Sequence, residues 1–332
     1  MVVPQAEALL ETAARLLQAA GLPGAPQALH RLAGGRNNRV FRLERDVGLP
    51  LVLKQYHVSP SDSRDRLGAE WAFLKHAWFG CVVRQVPQPL AKDSASHAAL
   101  YPFILGRRLA VAEVGAAQVA SAAALVAAIN PPGGENNLAP ASEACFSTAA
   151  HVATVERRVA RLAAGLDPAA PHAGEARALV EDRLVPSWRR LVSSIAADEM
   201  ALPTCVSPSD FGFHNALVAE DGTLTFLDFE YAGRDDPAKL ICDFFCQPEV
   251  PAPLAFYAGF RETVLGALGL DAPAHRARCD ALLPAYRVKW ACIMLNDFIA
   301  ADAARRDFAE GQGRAARCAA QLAKASDALS RL

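Results

Sequence analysis

Three polar residues in the second half of the chain stand out by type and spacing. Asp210 precedes a pair of short apolar segments, Asn215 enters the first of them five residues later, and Asp228 leaves the second. Ala216-Leu217-Val218 and Thr223-Leu224-Thr225-Phe226-Leu227 flank the turn Glu220-Asp221-Gly222, which reads as a β-hairpin. A hairpin returns the chain, so the three polar groups at its outer ends can converge. Carboxylate and amide oxygens gathered in this way suit Mg²⁺, a hard cation that takes oxygen ligands and keeps waters or phosphate oxygens in its remaining positions. The third group need not touch a metal, because it can face a substrate hydroxyl. Such a division suits phosphoryl transfer, which depends on positioning and on neutralising charge on the moving group.

The elements that must hold these residues follow from periodicity. The chain has 332 residues, 52% hydrophobic and 21% charged, enough for two lobes and a sizeable core. Apolar residues recur at helical spacing from Pro4 to Ala20 and stop at Gly21 and Pro23. Leu29 to Leu32, Val40 to Leu43 and Leu51 to Lys54 then read as three strands, with Gly34-Gly35-Arg36-Asn37-Asn38 and Gly48-Leu49-Pro50 as turns. Ser61 to His76 returns to a helical pattern with Leu67, Trp71 and Leu74 on one face and Asp62 or Ser63 as its cap. Val86 to Leu90 and Ala98 to Ile104 are expected as two further strands, and the boundary to a helix-rich second half is placed near residue 104. In that half, helices are expected over Val111 to Ile129, Thr148 to Ala164, Glu175 to Ile195, Leu254 to Leu268 and Ala281 to Leu329. The cluster Pro131 to Pro140 is expected as a surface loop.

Charge and cysteine usage restrict the partners. A formal net charge of -1 gives no overall basic excess to draw nucleic acid or an anionic membrane. Eight scattered cysteines lack disulfide-scaffold density and paired metal spacing, so a reducing cytoplasm is expected. Glu7, Glu11 and Arg15 interrupt the first twenty residues, and no membrane span is expected elsewhere.

Ser-Pro-Ser-Asp-Phe-Gly-Phe-His-Asn (207 to 215) followed by Leu-Asp-Phe-Glu-Tyr-Ala-Gly (227 to 233) resembles the paired catalytic and metal motifs of the aminoglycoside phosphotransferase and choline kinase superfamily. The resemblance implies an α+β, two-lobed protein-kinase-like fold: a small antiparallel-sheet lobe over residues 1–104 and a larger, mainly helical lobe over 105–332. It implies transfer of the γ-phosphate of ATP, with GTP as the other donor to consider, to a hydroxyl of a small molecule such as an amino sugar, a sugar or an amino alcohol. By the same resemblance Asp210 orients the acceptor hydroxyl or accepts its proton, while Asn215 and Asp228 bind Mg²⁺. Lys54 then contacts the nucleotide phosphates with Glu70 as its ion-pair partner, and Gly34 and Gly35 form the loop over the phosphates. Tyr101, Phe103 and Ile104 receive the adenine ring.

The chain departs from the family pattern in two places. The histidine two residues before the catalytic aspartate is replaced by Pro208, and the aspartate expected four residues after Asp236 falls on Leu240, with Asp243 three residues later. The first departure motivates a competing reading as a nucleotide-binding pseudokinase or regulatory module. A protein kinase is disfavoured because no Ala-Pro-Glu segment follows Asp228. His214 can be drawn with Asp210 and Asp228 as a metal-hydrolase cluster, but no second histidine stands at ligand spacing and Asn215 is left without a task. Cys242 and Cys246 read as small core residues, and Arg305-Arg306 as solvated surface. For the acceptor, Glu230, Tyr231, Tyr286, Arg287, Lys289, Trp290, Asn296 and Asp297 are the available wall residues, and their mixed charges leave a cationic and an anionic substrate equally open.

Overall fold

Alternation along Leu51-Val52-Leu53-Lys54 sends side chains to opposite faces of a sheet, and the two faces have different partners. The computed structural model describes residues 3–32, 38–59, 62, 64–134, 137–195, 203–300 and 313–332. Strands β1 (Pro26–Arg31), β2 (Arg39–Arg45), β3 (Leu51–Gln55), β4 (Ala91–Asp93) and β5 (Ala98–Pro102) form one antiparallel sheet in the order β1-β2-β3-β5-β4. Helix α1 (Val3–Ala19) lays Leu9, Ala13, Leu16 and Leu17 against Leu43, Leu51, Leu53 and Leu100 on one face. On the other face, Val52, Ala99 and Tyr101 meet α2 (Arg66–Lys75) through Leu67, Phe73 and Leu74. Lys54 is central in this sheet, opposite Val40 on β2 and Ala99 on β5.

Two expectations for this part are corrected. The strand expected over Val86 to Leu90 forms instead at Ala91–Asp93, because Pro87 and Pro89 lack the N–H that a sheet ladder needs. The cap of α2 is Asp65, whose carboxylate accepts from the Gly68 N–H at 2.8 Å. Asp62 is occupied elsewhere, by Arg64 at 2.6 Å and Arg66 at 2.5 Å, and Ser63 lies outside the described residues.

The remainder is mainly helical. Helices α3 (Ala116–Ala128), α4 (Thr148–Gly165), α7 (Pro237–Cys246), α8 (Tyr257–Ala267) and α9 (Pro273–Met294) surround a two-stranded sheet and a three-stranded one, whose first strand is β6 (Arg107–Arg108). The helix expected over Glu175 to Ile195 is divided into α5 (Ala173–Ala178), a widened π turn (Leu179–Leu184) and α6 (Val185–Val192). Pro186 cannot donate to a carbonyl one turn earlier, and the widened turn leads into it. The pattern expected from Ala281 to Leu329 begins earlier, at Pro273, and resumes as a last helix over Arg314–Ser330; Arg305 and Arg306 lie outside the described residues.

One apolar core runs from the sheet into the helices, with Phe73 on α2 stacked on Phe229 at 4.4 Å between ring centroids. A second core joins α4, α6, α9 and the last helix. Cys242 and Cys246 are buried with free thiols, as small core residues. Among the described residues no helix is long and apolar enough to cross a membrane.

Candidate functional site

The hairpin of β8 (Ala216–Val218) and β9 (Leu224–Phe226) pairs Ala216 with Phe226. Gly222 closes its turn at φ 86°, a conformation that costs glycine no Cβ clash. One further bond, from the Leu227 N–H to the Asn215 carbonyl at 2.8 Å, carries the pairing to the open end. Asn215 and Asp228 therefore leave the hairpin side by side. Asp228 has φ 66° and Ser209, directly before Asp210, has φ 67°. Left-handed backbone is uncommon outside glycine and costs energy, so it persists only where the surroundings fix it, and such positions cluster at functional sites.

Asp228 faces Lys54 across the cleft. The Lys54 ammonium lies 2.6 Å from an Asp228 carboxylate oxygen and 2.6 Å from Glu70 on α2. Lys54 and Glu70 are buried, whereas the Asp228 side chain is 41% exposed. Burial alone would lower the Lys54 pKa, but the carboxylates of Asp228 and Glu70 outweigh it and raise it, fixing the ammonium form. Burial pushes Glu70 up, against the opposing pull of Lys54. The Tyr56 hydroxyl donates to the same Glu70 oxygen at 2.8 Å and stands 2.7 Å from the Tyr101 hydroxyl. Burial raises the pKa of both phenols, so they remain neutral hydrogen-bonding groups. Tyr56 was not among the residues expected from sequence. Its place two residues after Lys54, on the same side of an extended chain, was the available signal.

The Asp210 loop hangs from β7 (Cys205–Ser207), which pairs with β10 (Gly233–Asp235) and places Ser207 opposite Gly233. The side chain of Asn130 brackets β7 from the other side, accepting from the Val206 N–H at 2.7 Å and donating to the Val206 carbonyl at 3.0 Å. With Pro208 where the family pattern has histidine, the loop is tied by other groups. The Ser207 hydroxyl accepts from the Ser209 N–H at 3.1 Å, and the Asn215 amide donates to the Asp210 carbonyl at 3.0 Å. Phe211 anchors the loop in the core against Phe226 and Phe244. His214 approaches the Asp210 carboxylate, Nε2 to Oδ1 3.4 Å, and packs so close to Gly212 that a Cβ there would meet its ring at 2.9 Å.

These groups open on one cleft of about 1960 Å³. Lys54, Glu70, Asp210, Asn215 and Asp228 all line it, as do Tyr101, Phe103 and Ile104, with Val40 and Val52 from the sheet and Leu217 and Leu227 from the hairpin. The Arg42 guanidinium stands 5.0 Å from the Phe103 ring. Gly34 and Gly35 lie outside the described residues. The adjoining Asn38 is buried and donates to Glu230, while its amide oxygen accepts from the His57 N–H at 3.1 Å. Glu230 is also 3.7 Å from Arg66, so the acid two residues after Asp228 ties the hairpin to the sheet and to α2.

The wall residues expected from sequence separate once placed. Tyr231, Lys289, Trp290 and Asn296 line the cleft. Tyr286 does not: it is fully buried, with its hydroxyl 2.6 Å from His151. Asp297 is buried against Arg317 at 3.2 Å, and Arg287 turns to the carbonyl of Arg331 at the chain's end. Asp235 and Asp236 are buried too. Asp236 caps α7 through the Ala238 N–H at 2.8 Å, and Asp235 accepts from Lys239 at 2.6 Å and from the Cys145 N–H at 2.9 Å. Asp243, about two turns along α7, is the one of these three acids that lines the cleft. Among the described residues no group of three or more His, Cys, Asp or Glu side chains could hold a metal ion, so Asp210, His214 and Asp228 do not assemble as a metal-hydrolase cluster.

Comparison with solved structures places this architecture. The macrolide 2'-phosphotransferase of Brachybacterium faecium superposes with a TM-score of 0.56 at 18% identity, covering 90% of this chain and 96% of that one. A spectinomycin phosphotransferase solved with ADP and spectinomycin gives 0.59 at 13% identity, covering 96% and 93%. The choline kinase of Streptococcus pneumoniae gives 0.55 at 13% identity, covering 98% and 99%. No curated protein sequence matches the chain. At these identities the superpositions establish the fold, a small antiparallel sheet set on a helical body as in these kinases. A sequence profile of the phosphotransferase enzyme family matches residues 28–282, a span that holds the sheet lysine, the Asp210 loop and the Asp228 hairpin end alike. With fold and family profile in agreement over most of its length, the chain belongs to the phosphotransferase enzyme family.

Proposed function

We propose that this enzyme transfers the γ-phosphoryl group of ATP to a hydroxyl of a small molecule in the presence of Mg²⁺. The observation that carries the reading is the meeting of Lys54 and Asp228 at 2.6 Å, with Glu70 holding Lys54 from behind and Asp210 on the adjoining loop. The sheet with its lysine, residues 1–104, forms the nucleotide lobe in this reading, and residues 105–332 form the lobe that supplies the catalytic loop and the acceptor site.

The donor set fits magnesium. Asp228 presents a half-exposed carboxylate, and Asn215 uses its amide nitrogen on the Asp210 carbonyl, which leaves the amide oxygen as the remaining ligand atom. Two such hard oxygens match an ion that fills its other positions with water and phosphate oxygens. Bound there, the ion neutralises charge on the β- and γ-phosphates. Lys54, fixed in its charged form, supplies the second positive charge to the phosphates. Val40, Val52, Leu217 and Leu227 give the apolar walls for a purine beside the Tyr101 to Ile104 segment. Asp210, 39% exposed at the cleft and held by Ser207, Asn215 and Phe211, orients the acceptor hydroxyl and takes its proton.

Phosphotransfer from ATP or GTP to amino sugars, sugars, amino alcohols and hydroxy acids, with and without Mg²⁺, tests this reading. Asp210→Asn is expected to lower kcat by about 10²- to 10⁴-fold while nucleotide binding persists. Full activity in that variant would remove Asp210 from its role, and Mg²⁺-dependent nucleotide binding without transfer to any acceptor would favour a nucleotide-binding regulatory module.

A further inference from the structure

The loop expected over Pro131 to Pro140 runs at its end onto the edge of a strand. Pro140 bridges Arg234 in the parallel sense, beside the antiparallel pairing of β10 with β7. The Arg234 N–H donates to the Ala139 carbonyl at 2.9 Å, and the Ala141 N–H donates to the Arg234 carbonyl at 2.9 Å. Three more bonds extend the seam: the Arg234 guanidinium to the Leu138 carbonyl at 2.7 Å, the Ser142 N–H to the Tyr231 carbonyl at 3.0 Å, and the Cys145 N–H to the Asp235 carboxylate at 2.9 Å. Residues Leu138 to Glu143 therefore lie along β10 in the manner of an outer strand. So close an approach needs Gly233. A Cβ there would stand 2.4 Å from the Ala139 carbonyl oxygen, 2.6 Å from the Ala141 nitrogen and 2.8 Å from the Pro140 carbonyl carbon. These are backbone atoms, which cannot rotate away as a side chain can, so any larger residue at 233 pushes the segment off β10.

The same segment borders the site. All six residues from Leu138 to Glu143 line the cleft. Gly233 pairs with Ser207, the last residue of β7 before the Asp210 loop. Neighbouring strands lie about 4.8 Å apart, so the segment runs about 10 Å from the strand that leads into Asp210, which leaves room for a ring or a short chain between them. The purine walls come from β2, β3 and the hairpin, whereas the segment is fixed to β10 and, through Glu143 and Arg158 at 2.5 Å, to α4. It thus walls the acceptor side of the cleft. Leu138, Ala139, Pro140 and Ala141 offer apolar contact there, which suits the carbon skeleton of an acceptor rather than its charged groups.

We propose that Leu138 to Glu143 is the wall that selects the acceptor by shape, and that Gly233 is the positioning residue that keeps this wall in place. This rests on the phosphotransfer reading above for its reaction, and on the hydrogen-bonded seat of the segment for its location. Wild type, Gly233→Ala and Ala139→Phe are compared in two assays. The first is phosphotransfer from ATP to amino sugars, sugars, amino alcohols and hydroxy acids. The second is calorimetric binding of the same compounds to the enzyme with ADP, which needs no turnover. Gly233→Ala displaces the wall, while Ala139→Phe leaves its backbone bonds intact and adds bulk at an exposed position lining the cleft. Each variant should raise KM and Kd for the preferred acceptor by about 10- to 100-fold, move KM more than kcat, and change the order of preference among acceptors, with the Kd for ADP unchanged. Should Gly233→Ala fail to fold, Ala139→Phe decides alone. An acceptor KM and order of preference kept as in the wild type, acceptor and ADP binding weakened alike, or a wild type that binds none of these compounds would overturn the proposal. Acceptor binding altered in the variants without turnover of any compound by the wild type would leave the proposal standing and refute the phosphotransfer reading instead.

Discussion

Replacing Lys54 with methionine removes the ammonium that faces Glu70, a carboxylate only 4% exposed that also accepts from the Tyr56 hydroxyl. Two outcomes compete for the stranded acid. It can stay ionised, at a cost of about 3–5 kcal/mol for breaking a buried pair. Otherwise it can take up a proton, which from an ordinary value of 4.5 costs about 1.4 kcal/mol per pH unit above that value. The cheaper route sets the deficit, so we predict a loss of about 4 kcal/mol at pH 7.5 and about 1.4 kcal/mol at pH 5.5. The sign follows from an acid whose folded pKa is raised: its deficit grows as pH rises. Asp228 adds little, being half-exposed and free to hydrate. Urea unfolding of the wild type and Lys54→Met at both pH values measures the difference. The double variant Lys54→Met/Glu70→Gln should recover most of the stability, since a neutral amide replaces the stranded charge. A deficit below about 1 kcal/mol at pH 7.5, or one equal at the two pH values, would refute the reasoning.

Two further perturbations test the supports of the site. Tyr56→Phe deletes the hydroxyl between Glu70 and Tyr101 and leaves both with one partner fewer, for an expected loss of about 1–3 kcal/mol in thermal or urea unfolding. An unchanged midpoint would mean that the hydroxyl contributes nothing there. His151 is buried between Tyr286 and Asp236. Burial lowers its pKa, but the bonds to Asp236 and Cys145 prevail and raise it to about 9. A histidine raised on folding contributes stability below about pH 6.5 that fades as pH rises towards 9, by up to about 3 kcal/mol. Unfolding midpoints of the wild type should therefore fall across that window while those of His151→Gln stay flat, and parallel curves would refute a protonated His151.

The sequence by itself determined the local elements wherever a period or a turn residue governs. Alternation at Leu51 to Lys54 fixed which side of β3 the lysine takes, and Gly222 with its flanking apolar triplets fixed the hairpin that brings Asn215 and Asp228 to one end. Proline marked its own exceptions, at Pro87, Pro89 and Pro186, where a missing N–H moved a strand and widened a helix turn. The tertiary structure alone decided what depends on neighbours distant in the chain. Asp235, Asp236 and Asp243 look alike in sequence, and all three are buried and bonded, yet only Asp243 lines the cleft, because Asp235 ends β10 and Asp236 caps α7 while Asp243 sits on the helix about two turns on, where it packs against α9 through Lys289. Pairing between groups far apart in the chain, across 76 residues between Asn130 and Val206 of β7 and across 174 between Lys54 and Asp228, is fixed only when the chain has folded.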